Sequence, residues 1–161
     1  MIDDLIPWVD SNFRTLSDKD HRAMAGLSMG GFMTRSVTMS NLERFAYIGL
    51  LSGGTDTAFR PGPGSPVPAG VSMPAPPPFD INTVYNGVMA DPAKFNQEVK
   101  VFFFSCGTEP PLENPDALKK HQADLIAAGI TNSYLYISPG TSHEWQTWRR
   151  SLYAFAPLLF Q

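Results

Sequence analysis

The run Gly26-Leu27-Ser28-Met29-Gly30-Gly31 constrains the fold of this chain more than any other feature. It directly follows a short apolar stretch, Ala23-Met24-Ala25, and leads into residues 32–40, which suit a helix. Small residues on both sides of one serine let an extended segment turn sharply into a helix, because side chains two residues either side would collide across so tight a turn. The serine backbone is strained in such a turn, which lifts its hydroxyl clear of the strand end. The backbone N–H of Met29 then sits at a helix N-terminus, where it can donate to an oxyanion. A strand that enters a helix this way belongs to an alternating α/β architecture.

The rest of the sequence alternates in the same sense. Ile2, Leu5, Ile6, Val9 and Phe13 have helical spacing, with Asp3 and Asp4 favouring the N-terminal end. Residues 22–27 read as a buried strand and 29–39 as the helix after the turn. Residues 45–51 form a second strand, ended by Ser52-Gly53-Gly54. The chain has 15 prolines, and most of those in its middle fall within residues 55–80, among glycines and almost no charge. That composition fits neither a helix nor a central strand, so a long surface loop is expected. Asp91-Pro92 opens a short helix. Residues 99–105, Val-Lys-Val-Phe-Phe-Phe-Ser, are aromatic enough for a strand buried on both faces. Residues 116–128 make an amphipathic helix stopped by Gly129. A fourth strand over 133–137 and a last helix over 145–160 follow. The expectation is a single α/β domain over residues 1–161, with about four parallel strands flanked by helices and no internal repeat.

Composition removes several function classes. The formal net charge is −3 with no basic cluster, which argues against nucleic acid as a partner. One cysteine, Cys106, allows no internal disulfide framework, and its apolar surroundings point to a buried small side chain. No stretch approaches the roughly 20 apolar residues that span a bilayer, and no signal peptide opens the sequence, so a soluble protein of unspecified compartment is expected.

A serine hydroxyl becomes a nucleophile when an imidazole takes its proton, and an acid then fixes that imidazole's tautomer and stabilises its cation. Where this turn carries a nucleophile, the chain order is serine, acid, histidine, each after a strand. His21 precedes the first strand and falls at its far end. His121 lies between Lys119-Lys120 and Gln122 and reads as a solvated surface residue. His143 follows the fourth strand in a Pro139-Gly140-Thr141-Ser142 loop, which is the right order and the right edge for a general base. The acid should come from the loop after the third strand, Cys106-Gly107-Thr108-Glu109-Pro110-Pro111-Leu112-Glu113. Glu109 is favoured because it is nearest the strand end. Glu113 and Asp116 are the alternatives, with Asp116 also suited to capping the next helix, and a dyad without an acid stays open.

On these residues the chain resembles the esterase group of α/β-hydrolases that includes feruloyl and acetyl xylan esterases of carbohydrate esterase family 1, esterase D and enterochelin esterases. The resemblance runs through Asp4-Leu5-Ile6-Pro7, Asn12-Phe13-Arg14-Thr15, Arg22 to Gly31, Ser138-Pro139-Gly140-Thr141-Ser142-His143-Glu144-Trp145 and the tail from Trp148 to Pro157. It implies Ser28 as nucleophile and His143 as base; many relatives carry an aspartate at the position of Pro110 and others a glutamate close by, so Glu109 stays the favoured acid, with Met29 and Trp145 expected at the oxyanion or substrate site. It also implies a small-molecule ester substrate of feruloyl or acetyl type, with no cofactor and no metal. A non-catalytic remnant serving assembly or binding, or an acyl transferase or perhydrolase using the same serine, are the competing functions. Relatives carry a long portion ahead of the segment matching residues 2–13, holding outer strands and a second oxyanion donor. The expected fold is therefore a truncated α/β-hydrolase, with residues 22–27 as an edge strand and slow turnover. The exposed apolar surface this leaves predicts a homo-oligomer, a dimer or tetramer.

Overall fold

The computed structural model describes residues 1–55 and 78–161. Most of the proline-rich segment expected as a surface loop lies outside the described residues. Four strands, β1 (Ala23–Leu27), β2 (Tyr47–Leu51), β3 (Val101–Gly107) and β4 (Ser133–Ser138), form one parallel sheet in the order β1-β2-β3-β4. The helices are α1 (Leu5–Asn12), α2 (Met29–Met39), α3 (Pro92–Glu98), α4 (Pro115–Ala127) and α5 (Trp145–Phe155). Among the described residues no helix is long and apolar enough to cross a membrane.

The period of two along each strand divides the core between the sheet faces. Ile48, Leu50, Phe102, Phe104 and Cys106 point to one face, packed with Met39 of α2 and with Leu118 and Leu125 of α4. Tyr47, Leu51, Val101 and Phe103 point to the other, against Phe155 and Trp148 of α5. Every residue of β2 and β3 is buried, as a strand covered on both sides requires. Nearly continuous aromatic and aliphatic sequence is the direct cause.

Local signals set the helix ends. Asp91 accepts the Lys94 N–H and Asn114 accepts the Ala117 N–H, each just ahead of a proline in the first turn. Asn114 therefore takes the capping role considered for Asp116, which instead pairs with Lys119. Gly129, at φ +98°, ends the run after α4. The last helix was expected to reach residue 160. It stops at Phe155 and continues as a 3-10 turn, Ala156–Leu158, because Pro157 has no N–H to give the helix.

His121 departs from expectation. It is buried, with its Nε2 2.6 Å from the Tyr85 hydroxyl and its ring beside Phe79 and Phe104. Its neighbours in sequence are charged, but Leu118, His121 and Leu125 form the one buried stripe of α4. Spacing on the helix decides its position, and composition does not.

Strand β1 is an edge, with no strand on its outer side among the described residues. Helix α1 buries none of its residues. A groove of about 740 Å³ lies along the start of β1, lined in part by Leu5, Ile6, Val9, Ala23, Met24 and Phe160. A second, of about 370 Å³, lies along its end between Leu27, Leu51, Trp145, Trp148 and Leu152.

Candidate active site

Ser28 joins β1 to α2 with φ 52° and ψ −120°, a conformation that L side chains rarely adopt. The turn is held from several directions. Its N–H donates to Leu51 O at 2.7 Å, and Gly31 N–H donates to Ser28 O at 3.0 Å. A Cβ at Gly26 would stand 2.2 Å from Gly30 O, so glycine is obligatory there, whereas a Cβ at Gly30 would meet open space. The loop after β2 closes from beneath, where a Cβ at Gly53 would stand 2.2 Å from Ser28 O. The Ser52-Gly53-Gly54 run therefore ends β2 and also supports the Ser28 turn. Its glycines were a visible signal, but nothing in the sequence said what they approach.

His143 reaches Ser28 from the loop after β4. Its Nε2 is 2.8 Å from Ser28 Oγ across 115 residues of chain. The loop is braced by Thr141, buried and donating to Ser138 O at 3.1 Å, and by Thr147, whose hydroxyl donates to Thr141 Oγ1 at 2.7 Å. The Trp148 ring meets the imidazole edge-on, with ring centres 5.2 Å apart.

The carboxylate on the other side of the imidazole is Glu113, not Glu109. His143 Nδ1 lies 3.0 Å from Glu113 Oε1, and the Glu113 side chain is 3% exposed. Glu109 is exposed, accepts the Thr108 hydroxyl at 2.9 Å, and donates its backbone N–H to Thr141 O. Glu109 does not meet the imidazole because β3 continues to Gly107, two residues beyond the predicted end. Glu109 then falls in the turn that binds the β4 loop, where Gly140 N–H also donates to Thr108 Oγ1. The chain turns inward only at Glu113, next to the Asn114 cap. Asp116 faces solvent.

Met29 is the first residue of α2, so its N–H is one of the donors that the helix leaves without an acceptor. Trp145 opens α5, is 75% exposed, and packs edge-on against Trp148 in the groove beside Leu27. Cys106 is buried at the end of β3. Burial first, and the Glu113 charge second, push its thiol up to about 12, so it stays protonated near neutrality. Among the described residues no cluster of side chains is suited to a metal ion.

The arrangement has the parts of nucleophilic acyl chemistry: a hydroxyl on a strained turn, an imidazole bonded to it, a buried carboxylate behind the imidazole, and a helix N-terminus beside the hydroxyl. The chain is 38% identical over all 161 residues to an endo-1,4-beta-xylanase/feruloyl esterase of Xylanibacter ruminicola (strain ATCC 19189 / DSM 19721 / CIP 105475 / JCM 8958 / 23), of which it covers 17%. It is similar in fold to the feruloyl esterase module from Clostridium thermocellum complexed with sinapinate, with TM-score 0.62 and 21% identity over 98% of this chain and 56% of that one. The Staphylococcus aureus fluorophosphonate-binding serine hydrolase F gives TM-score 0.64 and 16% identity over 98% of this chain and 61% of that one. The chain thus spans little more than half of these solved structures and a smaller share of the xylanase/feruloyl esterase. The family model described as "Putative esterase" matches residues 1–159, and on that match and the full-length identity the chain belongs to this esterase family, of the α/β-hydrolase type.

Proposed function

We propose that this chain is a serine ester hydrolase acting on small acyl or aryl esters, of feruloyl or acetyl type, through a Ser28–His143–Glu113 triad. The observation that carries this reading is the unbroken hydrogen-bonded line from Ser28 Oγ through both ring nitrogens of His143 to the buried Glu113 carboxylate. In the reaction, Ser28 Oγ bonds to the ester carbonyl carbon as its proton passes to His143 Nε2. Glu113 keeps the other ring N–H in place and offsets the imidazolium charge. The carbonyl oxygen becomes an oxyanion beside the Met29 N–H; one such donor is worth about 10²–10³ in rate. The carbonyl re-forms, the alcohol leaves with the proton from His143, and an acyl group remains on Ser28. Water then attacks the acyl carbon, gives a proton to His143, and releases the acid as Ser28 recovers its proton.

The groove between Leu27, Leu51, Trp145, Trp148 and Leu152 favours flat, apolar acyl groups, because it adjoins the nucleophile and is walled by two indoles. Hydrolysis of p-nitrophenyl acetate and methyl ferulate, with a fluorophosphonate probe read by mass spectrometry, tests the reading. Labelling confined to Ser28 and turnover abolished in Ser28→Ala are expected. Equal hydrolysis by both proteins would defeat it. An ester or peracid formed with an added alcohol or peroxide, in place of free acid, would reassign the acceptor.

We also propose that the chain assembles as a homo-oligomer, a dimer or tetramer. The open edge of β1, the unburied α1 and the two apolar grooves beside them support this.

A further inference from the structure

A small space adjoins Glu113 at the ends of β2 and β3. It has a volume of about 20 Å³ and is lined by Ser52, Ser105, Cys106, Glu113 and Asn114, among others. That volume suits a single water molecule, which needs roughly 10–15 Å³ and two to four polar partners. Three observations meet there. The Ser52 and Ser105 hydroxyls are both buried and have no hydrogen-bond partner among the described residues. The buried Glu113 carboxylate makes one hydrogen bond among the described residues, through Oε1 to His143. The other polar side chains lining the space are Thr55, Asn114, whose Oδ1 accepts the Ala117 N–H, and Cys106, a weak S–H donor. A buried carboxylate held at one oxygen, beside two buried hydroxyls with no acceptor among the described residues, leaves costs on all three groups that one bridging molecule removes.

We propose that this space is a built site for one structural water, which Ser52 and Ser105 hold by donating to it while it donates to the Glu113 carboxylate. Ser52 and Ser105 are then positioning residues: neither touches substrate, and both fix the angle at which Glu113 meets His143. The site also gives a purpose to the left-handed backbone at Ser52, φ 49°, which turns the chain at the end of β2, where its side chain lines the space. The inference rests on the reading of Glu113 as the acid of the triad, but the water site itself does not.

The test is a high-resolution crystal structure of the protein and of Ser105→Ala, with kcat and KM for Ser52→Ala, Ser105→Ala and the double variant. Ordered density within hydrogen-bond reach of Ser52, Ser105 and Glu113 is expected in the first structure, and its loss or displacement in the second. Each single variant should lower kcat about fivefold at unchanged KM, the effect of one bridging hydrogen bond. The double variant should be no worse than the singles, because both hydroxyls act through the same molecule. A dry space, or a water out of reach of Glu113, overturns the proposal, and so do losses that multiply in the double variant. Failure of the acid reading gives a separate signature: Glu113→Gln retains wild-type kcat while the water stays in place.

Discussion

Ser28→Ala and His143→Ala should each abolish ester hydrolysis in a folded protein, and combining them should cost little more, because members of one catalytic unit do not lose activity additively. Near wild-type turnover by His143→Ala would remove the imidazole from the mechanism. Glu113→Gln should lower kcat by up to about 10⁴, whereas Glu109→Gln should leave it nearly unchanged, since the Glu109 side chain faces solvent and accepts from the Thr108 hydroxyl, away from His143. Parallel steady-state assays of the two variants decide which carboxylate acts. For Cys106, the folded chain holds the thiol proton up to about pH 12, while an unfolded thiol releases it near about 8.5. Its contribution to stability is therefore complete below about pH 8.5 and is lost as pH rises towards 12. Urea midpoints should fall more steeply over that range in wild type than in Cys106→Ala, and iodoacetamide at pH 7 should label only unfolded protein. At this scale the serine and the histidine were legible because each is fixed by its own short motif. The carboxylate that meets the imidazole was not. Which one it is depends on where β3 ends, and a run of buried aromatic residues gives no sign of its last paired residue.

Among the described residues, the four strands and five α-helices were readable from periodicity, glycine stops and proline starts, with ends displaced by a few residues where a strand ran on or Pro157 intervened. Which faces the elements bury was harder to read. His121 lies among charged residues yet is buried through the 118-121-125 stripe, and Tyr85→Phe should lower stability by about 1 kcal/mol by removing the buried hydrogen bond between the Tyr85 hydroxyl and His121 Nε2, measurable by urea unfolding. Asn114→Ala removes the cap of α4, worth about 1 kcal/mol. Because Glu113 immediately precedes that cap, kcat should fall further than the stability change alone would suggest. Gly53→Ala probes the support beneath the serine turn. Its Cβ would collide with Ser28 O, so the turn must move, and a displacement near 1 Å is enough to lower turnover by about 10²-fold. Wild-type kinetics in a folded Gly53→Ala protein would show that the β2 loop does not govern the nucleophile.

For the whole molecule, the outer edge of β1 and the apolar surface beside it make assembly the property to measure first. Light scattering at micromolar concentration should give a dimer or tetramer, and Met24→Lys, which charges the groove along β1, should shift the population towards monomer. A stable, active monomer would remove the assembly proposal. The contact between Ser28 and His143 spans 115 residues, nearly the full sheet, and every strand pairing in that sheet is parallel and non-local. Closing such separations carries a large entropic cost before any contact rewards it, which slows the search for the native topology. Ser28 and His143 lie far apart in sequence, so they meet only once β1 to β4 are in order. On dilution from denaturant, helical circular dichroism should therefore recover well before Ser28 becomes reactive to a fluorophosphonate, making that labelling a clock for the last step of folding.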